Sequence, residues 1–298
     1  MDRYPDIRDL QILIALSQRK HFTRAAADCG ISQPAFSARI RALENQLGVP
    51  IVRRGNKFLG FTKDGELLLK WARKILTDAE GLRQEIEVSK GALQGALVLG
   101  VVPTALPFAA SVSTTLRAQY GELTIQIQSL TSAQIALGLS DYSLDAGITY
   151  HDETEIASLR FEPIYEEQYV LLSPMHLAPR KKGSASWVEA ASLPLCLLSK
   201  DMRFRQIVDH VFERAGVLPA PVMETNAFTA ALAQVTNGSA ATIAPQKLID
   251  SLFLDQNSIS LKLKDPLVTN TIGLAMLHHE PALPAIEALQ QVIGIHHK

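Results

Sequence analysis

Apolar side chains recur at helical spacing from the start of the chain. Ile7, Leu10 and Ile14, with Leu13 beside them, predict a helix over 7–16. A second helix is expected from Phe22 with Thr23 as its N-cap, and Gly30 breaks it. Ser32 can cap a third, because its hydroxyl accepts from free backbone N–H groups while Pro34 occupies the first turn, where a missing donor costs little. That helix buries Phe36, Ile40, Leu43 and Leu47. After Gly48-Val49-Pro50, the basic, glycine-punctuated segment 51–62 reads as a hairpin with its tip near Gly55-Asn56. Three helices and a hairpin make a winged helix-turn-helix. A long helix follows over about 63–90, with Leu68, Trp71, Ile75, Leu82 and Ile86 in a narrow apolar seam. So thin a stripe on so long a helix favours pairing with a second copy over packing in a globular core.

Beyond a hinge at 91–95 the period changes. Short β-rich runs at 96–102, 123–128, 146–149, 169–173, 195–198, 240–243 and 272–277 alternate with helical stretches near 105–119, 133–140, 203–215, 226–236 and 281–293. Such alternation predicts a parallel α/β sheet. Two similar lobes are expected, with a crossover near Pro163 and a return near Pro266. The resulting fold class is α + α/β. Residues 1–63 are expected to form the winged helix-turn-helix domain, 64–91 the linker (dimerisation) helix and hinge, and 92–298 the two-lobed domain, with lobe I at about 92–163 and 267–298 and lobe II at about 164–266.

Charge sharpens this division. The net charge is −1, yet residues 1–63 hold 11 Lys or Arg against 5 Asp or Glu, while the remainder holds 18 against 25. A basic head on an acidic body points to a polyanion partner for the head alone. With 47% hydrophobic residues, the chain can bury real cores. Asp2, Arg3, Asp6, Arg8 and Asp9 interrupt the opening turn, and no apolar run approaches the roughly 20 residues that cross a bilayer. A cytoplasmic protein with no membrane partner is expected. The two cysteines, Cys29 and Cys196, suit a reducing compartment as free thiols.

In the second and third helices, small Ala26 permits close approach, Gly30 a positive φ, and Phe36 plugs the angle between them. Gln33, Ser37 and Arg41 then share an exposed face at four-residue intervals, suited to base edges in a major groove. Arg53, Arg54 and Lys57 of the hairpin offer phosphate contacts. The segments Ala25-Ala26, Ile31-Ser32-Gln33-Pro34-Ala35, Ser37, Ile40, Leu43-Glu44, Leu47-Gly48 and Arg53-Arg54 resemble the N-terminal signature of LysR-type transcription regulators. Ile51-Val52 and Lys63-Asp64 depart from its usual Leu-Phe and Pro-Ala. The resemblance implies DNA binding through Thr23, Arg24, Ser32, Gln33, Pro34, Ser37, Arg39, Arg41, Arg53, Arg54 and Lys57. It also implies a homodimer or dimer of dimers on an interrupted inverted repeat in a promoter, with RNA polymerase as a further partner.

The resemblance extends more loosely through Leu99-Gly100-Val101-Val102-Pro103-Thr104, Leu144-Asp145-Ala146-Gly147-Ile148 and Gln234-Val235-Thr236-Asn237-Gly238. It implies a periplasmic-binding-protein-like sensor with its small-molecule effector between two lobes. Independently, ligands of open α/β sheets lie beyond the carboxyl ends of strands, where helix N-termini offer N–H groups. Thr104, Thr131, Ser132, Ser199 and Met202 stand at such ends, and Arg203 or Arg205 could add charge, which suits a small carboxylate or oxyanion. Ordinary helix capping is the competing role for each hydroxyl. Asp145 is expected to order its own turn.

His278-His279 and His296-His297 are adjacent pairs, not the spacing that brings two imidazoles to one metal. No Walker loop, nucleophile elbow or dinucleotide fingerprint occurs, so neither a cofactor nor an enzyme is expected. An enzyme or solute-binding protein on the same two-lobed core, and a constitutive DNA-binding protein with an inert sensor, remain the alternatives.

Overall fold

A computed structural model of the chain describes residues 4–54, 58–151, 159–179, 183–251 and 257–294. They form two compact units, Met1–Gly95 with Ser140–Ser143, and Ala96–Leu139 with Leu144–Lys298.

The first unit begins with α1 (Ile7–Arg19), where Asp6 at the N-cap accepts from the Arg8 amide at 3.0 Å. In α2 (Phe22–Asp28) the expected Thr23 cap is not made. His21 holds the extended N-cap conformation without a side-chain bond, and Thr23 lies exposed within the helix. Packing decides the start: Phe22 sits edge-on to both Phe36 and Phe58, at 6.2 and 6.0 Å between ring centroids, and draws the helix in ahead of the better capping residue. Gly30 takes φ +66° in the following turn. In α3 (Gln33–Leu47) the Ser32 hydroxyl accepts from the Ala35 amide. Phe36, Ile40 and Leu43 then face Leu10, Leu13, Leu16 and Ala26 in one core.

Strands β1 (Val52–Arg54) and β2 (Phe58–Phe61) pair antiparallel. Glu44 of α3 pins their base, its Oε1 accepting from the Ile51 and Val52 amides at 2.9 and 3.2 Å. Thr62 caps α4 (Lys63–Ser89) and donates to the Pro50 carbonyl at 2.6 Å. The helix lies so close to the wing that a Cβ on Gly65 would stand 2.1 Å from the Ile51 oxygen. Leu69 and Ala72 complete the core, and Leu68 packs against it. Leu68 therefore does not belong to the outward seam. Leu67 takes its place beside Trp71, Ile75, Leu82 and Ile86, all 41–61% exposed.

The second unit holds β3 (Gly95–Val101), a 3-10 turn at Pro103–Ala105, α5 (Leu106–Gln119), β4 (Leu123–Ser129), α6 (Ser132–Ser140), β5 (Ala146–Tyr150) and β6 (Leu159–Pro174). There follow β7 (Ser184–Ser186), α7 (Trp187–Ala191), β8 (Cys196–Leu198), α8 (Arg203–Arg214), β9 (Met223–Thr225) and α9 (Phe228–Thr236). The chain closes with β10 (Thr242–Pro245), α10 (Gln246–Asp250), β11 (Ser258–Lys264), β12 (Thr269–Leu277) and α11 (Pro284–Ile293).

One sheet runs β4-β3-β5-β12-β6-β11-β7, with β10 also pairing β6. It is mixed, not parallel as expected. β3 and β5 are parallel, but β12 is antiparallel to both β5 and β6, and β10 and β11 are antiparallel to β6. The reason is the double passage between lobes, because a chain that leaves along β6 and returns along β12 runs opposite ways on the two trips. β8 and β9 pair in parallel, and a parallel bridge from Leu195 to Ala241 joins them to β10.

The crossover is not at Pro163. β6 is continuous through it, pairing with β12 as far as Gln168 and with β10 from Tyr169. Pro163 sits opposite Gly273 at a register shift, where a missing N–H is tolerated. Asp145 does not merely order its own turn, since its Oδ2 accepts from the Val98 amide of β3 at 2.7 Å. Among the described residues no helix is long and apolar enough to cross a membrane.

Candidate functional site

The basic face of the first unit is carried by α3. Gln33 and Arg41 are exposed and Ser37 half-buried, on the side away from Phe36 and Leu43. Gln33 Nε2 donates to Ser37 Oγ at 3.0 Å, which aligns the amide along the helix face. Pro34 is exposed in the first turn of α3, as are Thr23 and Arg24 in that of α2. Two expected contacts are otherwise engaged. The Ser32 hydroxyl caps α3, and Arg39 reaches α1, its Nε donating to Asp9 Oδ1 at 2.8 Å with Asp6 at 3.7 Å. Arg53 is exposed on β1, which also carries Arg54. Lys57 and the Gly55-Asn56 tip lie outside the described residues.

In the second unit, five of the seven expected effector residues meet. Thr104, Thr131, Ser132, Met202 and Arg203 line one small cavity together with Tyr150 and Phe204. The capping role of Thr131 is present too: its hydroxyl accepts from the Gln134 amide at 3.3 Å while Gln134 Oε1 accepts from the Thr131 amide at 2.9 Å. Ser132 accepts from Thr149 at 3.0 Å, both buried.

Ser199 and Arg205 do not join them. The Ser199 amide donates to the Thr225 carbonyl at 2.8 Å and its hydroxyl is buried. Arg205 is buried against β8 and β9, donating to the Leu198 carbonyl and Glu224 Oε1, each at 2.6 Å, and to Asp209 at 2.7 Å. Its guanidinium is committed to holding the lobe together.

Sequence reasoning missed the groups behind the cavity. Tyr150 ends β5, one residue past the expected strand, and its hydroxyl lies 2.9 Å from Thr104 Oγ1 and donates to Glu167 Oε2 at 2.8 Å. The strand-end rule that selected Thr104 could have found Tyr150. Glu167 gave no local signal, being one of several carboxylates along a charged strand. Burial pushes its pKa up to about 7, with the Tyr150 and Thr104 hydroxyls and the Lys247 charge pulling the other way. Tyr150 is raised well above its ordinary value by burial and then by the Glu167 charge.

Cys29 is half-buried in the first unit and Cys196 fully buried on β8 in the second, and desolvation is the main cause raising each. Neither environment favours a reactive thiolate. His278 bonds Glu280 at 3.1 Å on the surface, and no cluster of metal-ligating side chains occurs among the described residues. His296-His297 lies outside them.

Residues 7–66 match the bacterial regulatory helix-turn-helix model of the lysR family, and residues 90–296 match the LysR substrate binding domain. The chain belongs to the LysR family. Solved full-length proteins of that family share its fold. A full-length cysteine-to-aspartate variant of OxyR from Pseudomonas aeruginosa gives a TM-score of 0.78 at 24% identity, covering 97% of this chain and 95% of that one. The LysR family transcriptional regulator CbnR gives 0.72 at 19%, covering 97% and 98%. In sequence, this LysR-family chain is 30% identical over 191 residues to the hydrogen peroxide-inducible genes activator of Haemophilus influenzae, a match to 64% of this chain and only 60% of that relative. It is 26% identical over 290 residues to the DNA-binding transcriptional dual regulator OxyR of Escherichia coli, covering 97% and 94%. These relatives are transcription regulators, not enzymes.

Proposed function

We propose that this LysR-family chain is a transcription regulator that binds double-stranded DNA through α3 and the β1–β2 wing and responds to a very small polar effector in the cavity of its second unit. The observation that carries the DNA reading is the outward Gln33-Ser37-Arg41 row, its two ends exposed, on a helix whose opposite side is core. CbnR, which shares the fold, has been solved with its target DNA.

For the effector, the relatives' names point to hydrogen peroxide and away from the carboxylate that the hydroxyl-lined strand ends suggest. Desolvation raises both thiols, which argues against a reactive thiolate as the sensing group, so we read the effector as acting by reversible binding. A small oxyanion is the second reading, favoured by Arg203 at the cavity. Self-association runs through the exposed Leu67, Trp71, Ile75, Leu82 and Ile86 stripe, and a two-fold dimer, or a dimer of dimers, matches an interrupted inverted repeat. RNA polymerase and a cytoplasmic setting complete the proposal.

The test is an electrophoretic mobility shift with DNA from upstream of the chain's own gene, with and without hydrogen peroxide or acetate. A salt-sensitive shift whose mobility or footprint responds to one ligand is expected. No shift with any such fragment sinks the regulator reading, and a shift indifferent to every small ligand sinks the sensor reading. Trp71→Asp should leave a monomer in sedimentation; an unchanged dimer refutes the α4 interface.

A further inference from the structure

Glu167 stands where the pairing of β6 changes hands, one residue before the last partner of β12 and two before the first partner of β10. Its side chain is buried, at 1% exposure, and Oε1 has no hydrogen-bond partner among the described residues. From Oε2 a line of hydroxyls leads outward, Tyr150 at 2.8 Å and then Thr104 a further 2.9 Å on, and both of these line the cavity.

The direction of that line is set at its inner end. An ionised Glu167 can only accept, so the Tyr150 proton points to it and the Thr104 proton points to Tyr150. Thr104 then has only lone pairs to offer the cavity. If Glu167 carries a proton, the line can reverse: Glu167 donates to Tyr150, Tyr150 to Thr104, and the Thr104 proton enters the cavity. We propose that Glu167, acting through Tyr150, sets the donor–acceptor polarity of the effector site, so that a neutral hydrogen-bond donor binds the ionised form and an anion enters only with one proton taken from solvent onto Glu167. The inference rests on the cavity being the effector site. It assigns Tyr150 as a contact residue and Glu167 as a positioning residue.

The groups facing Glu167 are consistent with an easily reversed line. Tyr150 of β5 and Thr104 of the 3-10 turn bond the relay itself, while Tyr165 and Tyr169 flank Glu167 on its own strand. Asn270 of β12 holds the Tyr169 hydroxyl at 2.8 Å. The one cation acting on it among the described residues is Lys247 of α10, whose ammonium lies 3.7 Å from the centre of the Tyr165 ring. Burial and this partial compensation bring the carboxyl to titrate at about 7, so both directions are reachable near neutrality.

The experiment is a thermal-shift titration of the full chain with acetate and with its neutral isostere acetamide, at about pH 6 and about pH 8. Neither probe titrates in that range. In the wild type, acetate affinity should fall about tenfold from the lower pH to the higher while acetamide affinity does not. Glu167→Gln and Tyr150→Phe should each make acetate affinity independent of pH, and Tyr150→Phe keeps the ring volume should the other variant fail to fold. A flat acetate profile in the wild type, or a tenfold dependence surviving in Tyr150→Phe, overturns the inference and leaves the effector site standing. No saturable shift with either probe at the lower pH overturns both, and the mobility shift with DNA then shows whether the regulator reading survives.

Discussion

Replacing Glu167 by Gln should stabilise the second unit at alkaline pH and do little at acid pH. The folded chain holds the Glu167 proton more tightly than the unfolded chain does, because burial raises this carboxyl from 4.5 to about 7. Stability associated with that proton is complete below the unfolded value and is lost as pH rises through the folded one. At about 1.4 kcal/mol per unit, the loss above pH 7 amounts to roughly 3 kcal/mol. A glutamine cannot ionise, so it escapes the loss. It gives up about 1 kcal/mol if its amide fits the Tyr150 hydroxyl less well. The variant should therefore exceed the wild type by roughly 2–3 kcal/mol at about pH 8.5, with the advantage vanishing toward about pH 5. The assay is urea unfolding followed by the fluorescence of Trp187, which is buried in this unit with its indole N–H on the Pro266 carbonyl. A Trp71→Phe background removes the other tryptophan. A stability difference that is the same at every pH, or a wild type more stable than the variant at high pH, would refute the reasoning.

Gly65→Ala forces a Cβ against the Ile51 carbonyl and should cost about 1–3 kcal/mol in the first unit, read as a lower melting temperature by circular dichroism; an unchanged transition contradicts the close approach of α4 and the wing. Arg41→Ala should cost about 1–3 kcal/mol on the preferred DNA and relax its sequence preference, whereas Arg53→Ala should weaken all sequences alike and reduce the salt slope by about 1. Equal effects of the two on specificity would undo the assignment of α3 as reader and wing as phosphate contact. Arg205→Ala should destabilise the second unit by roughly 1–3 kcal/mol, the Glu224 and Asp209 carboxylates being exposed enough to regain water, yet leave ligand affinity intact. A loss of affinity without a loss of stability would return Arg205 to the effector site.

What could be read from the sequence was what is decided within a few residues. The Ser32 cap, the Gly30 turn and the Phe36-Ile40-Leu43 face are short-range patterns, and all three hold. Thr23 does not cap α2 because Phe22 packs against residues from α3 and β2, a contact that no local pattern encodes. The first half of β6 was hidden by Pro163 and by Arg160, Glu162, Glu166 and Glu167, whose charges read as a loop until β12 is seen beside them. β7 and β9 are three residues each, and α7 and α10 five, too short for any period to register. Thr104, Thr131 and Ser132 were found because strand ends are recognisable, but the groups behind them depend on which strands become neighbours.

The place of β12 has a consequence for how the chain is made. It slots between β5 and β6, although more than a hundred residues separate its Ile272 from its partner Tyr150 on β5. As the chain leaves the ribosome, β5, buried along its whole length in the finished protein, must wait with one edge open until β12 emerges. An open, apolar strand edge invites pairing with other chains. A protein cut before residue 269 is thus not a smaller sensor but an adhesive one, and premature termination or slow synthesis late in the message should be marked by aggregation before any loss of regulation is measured.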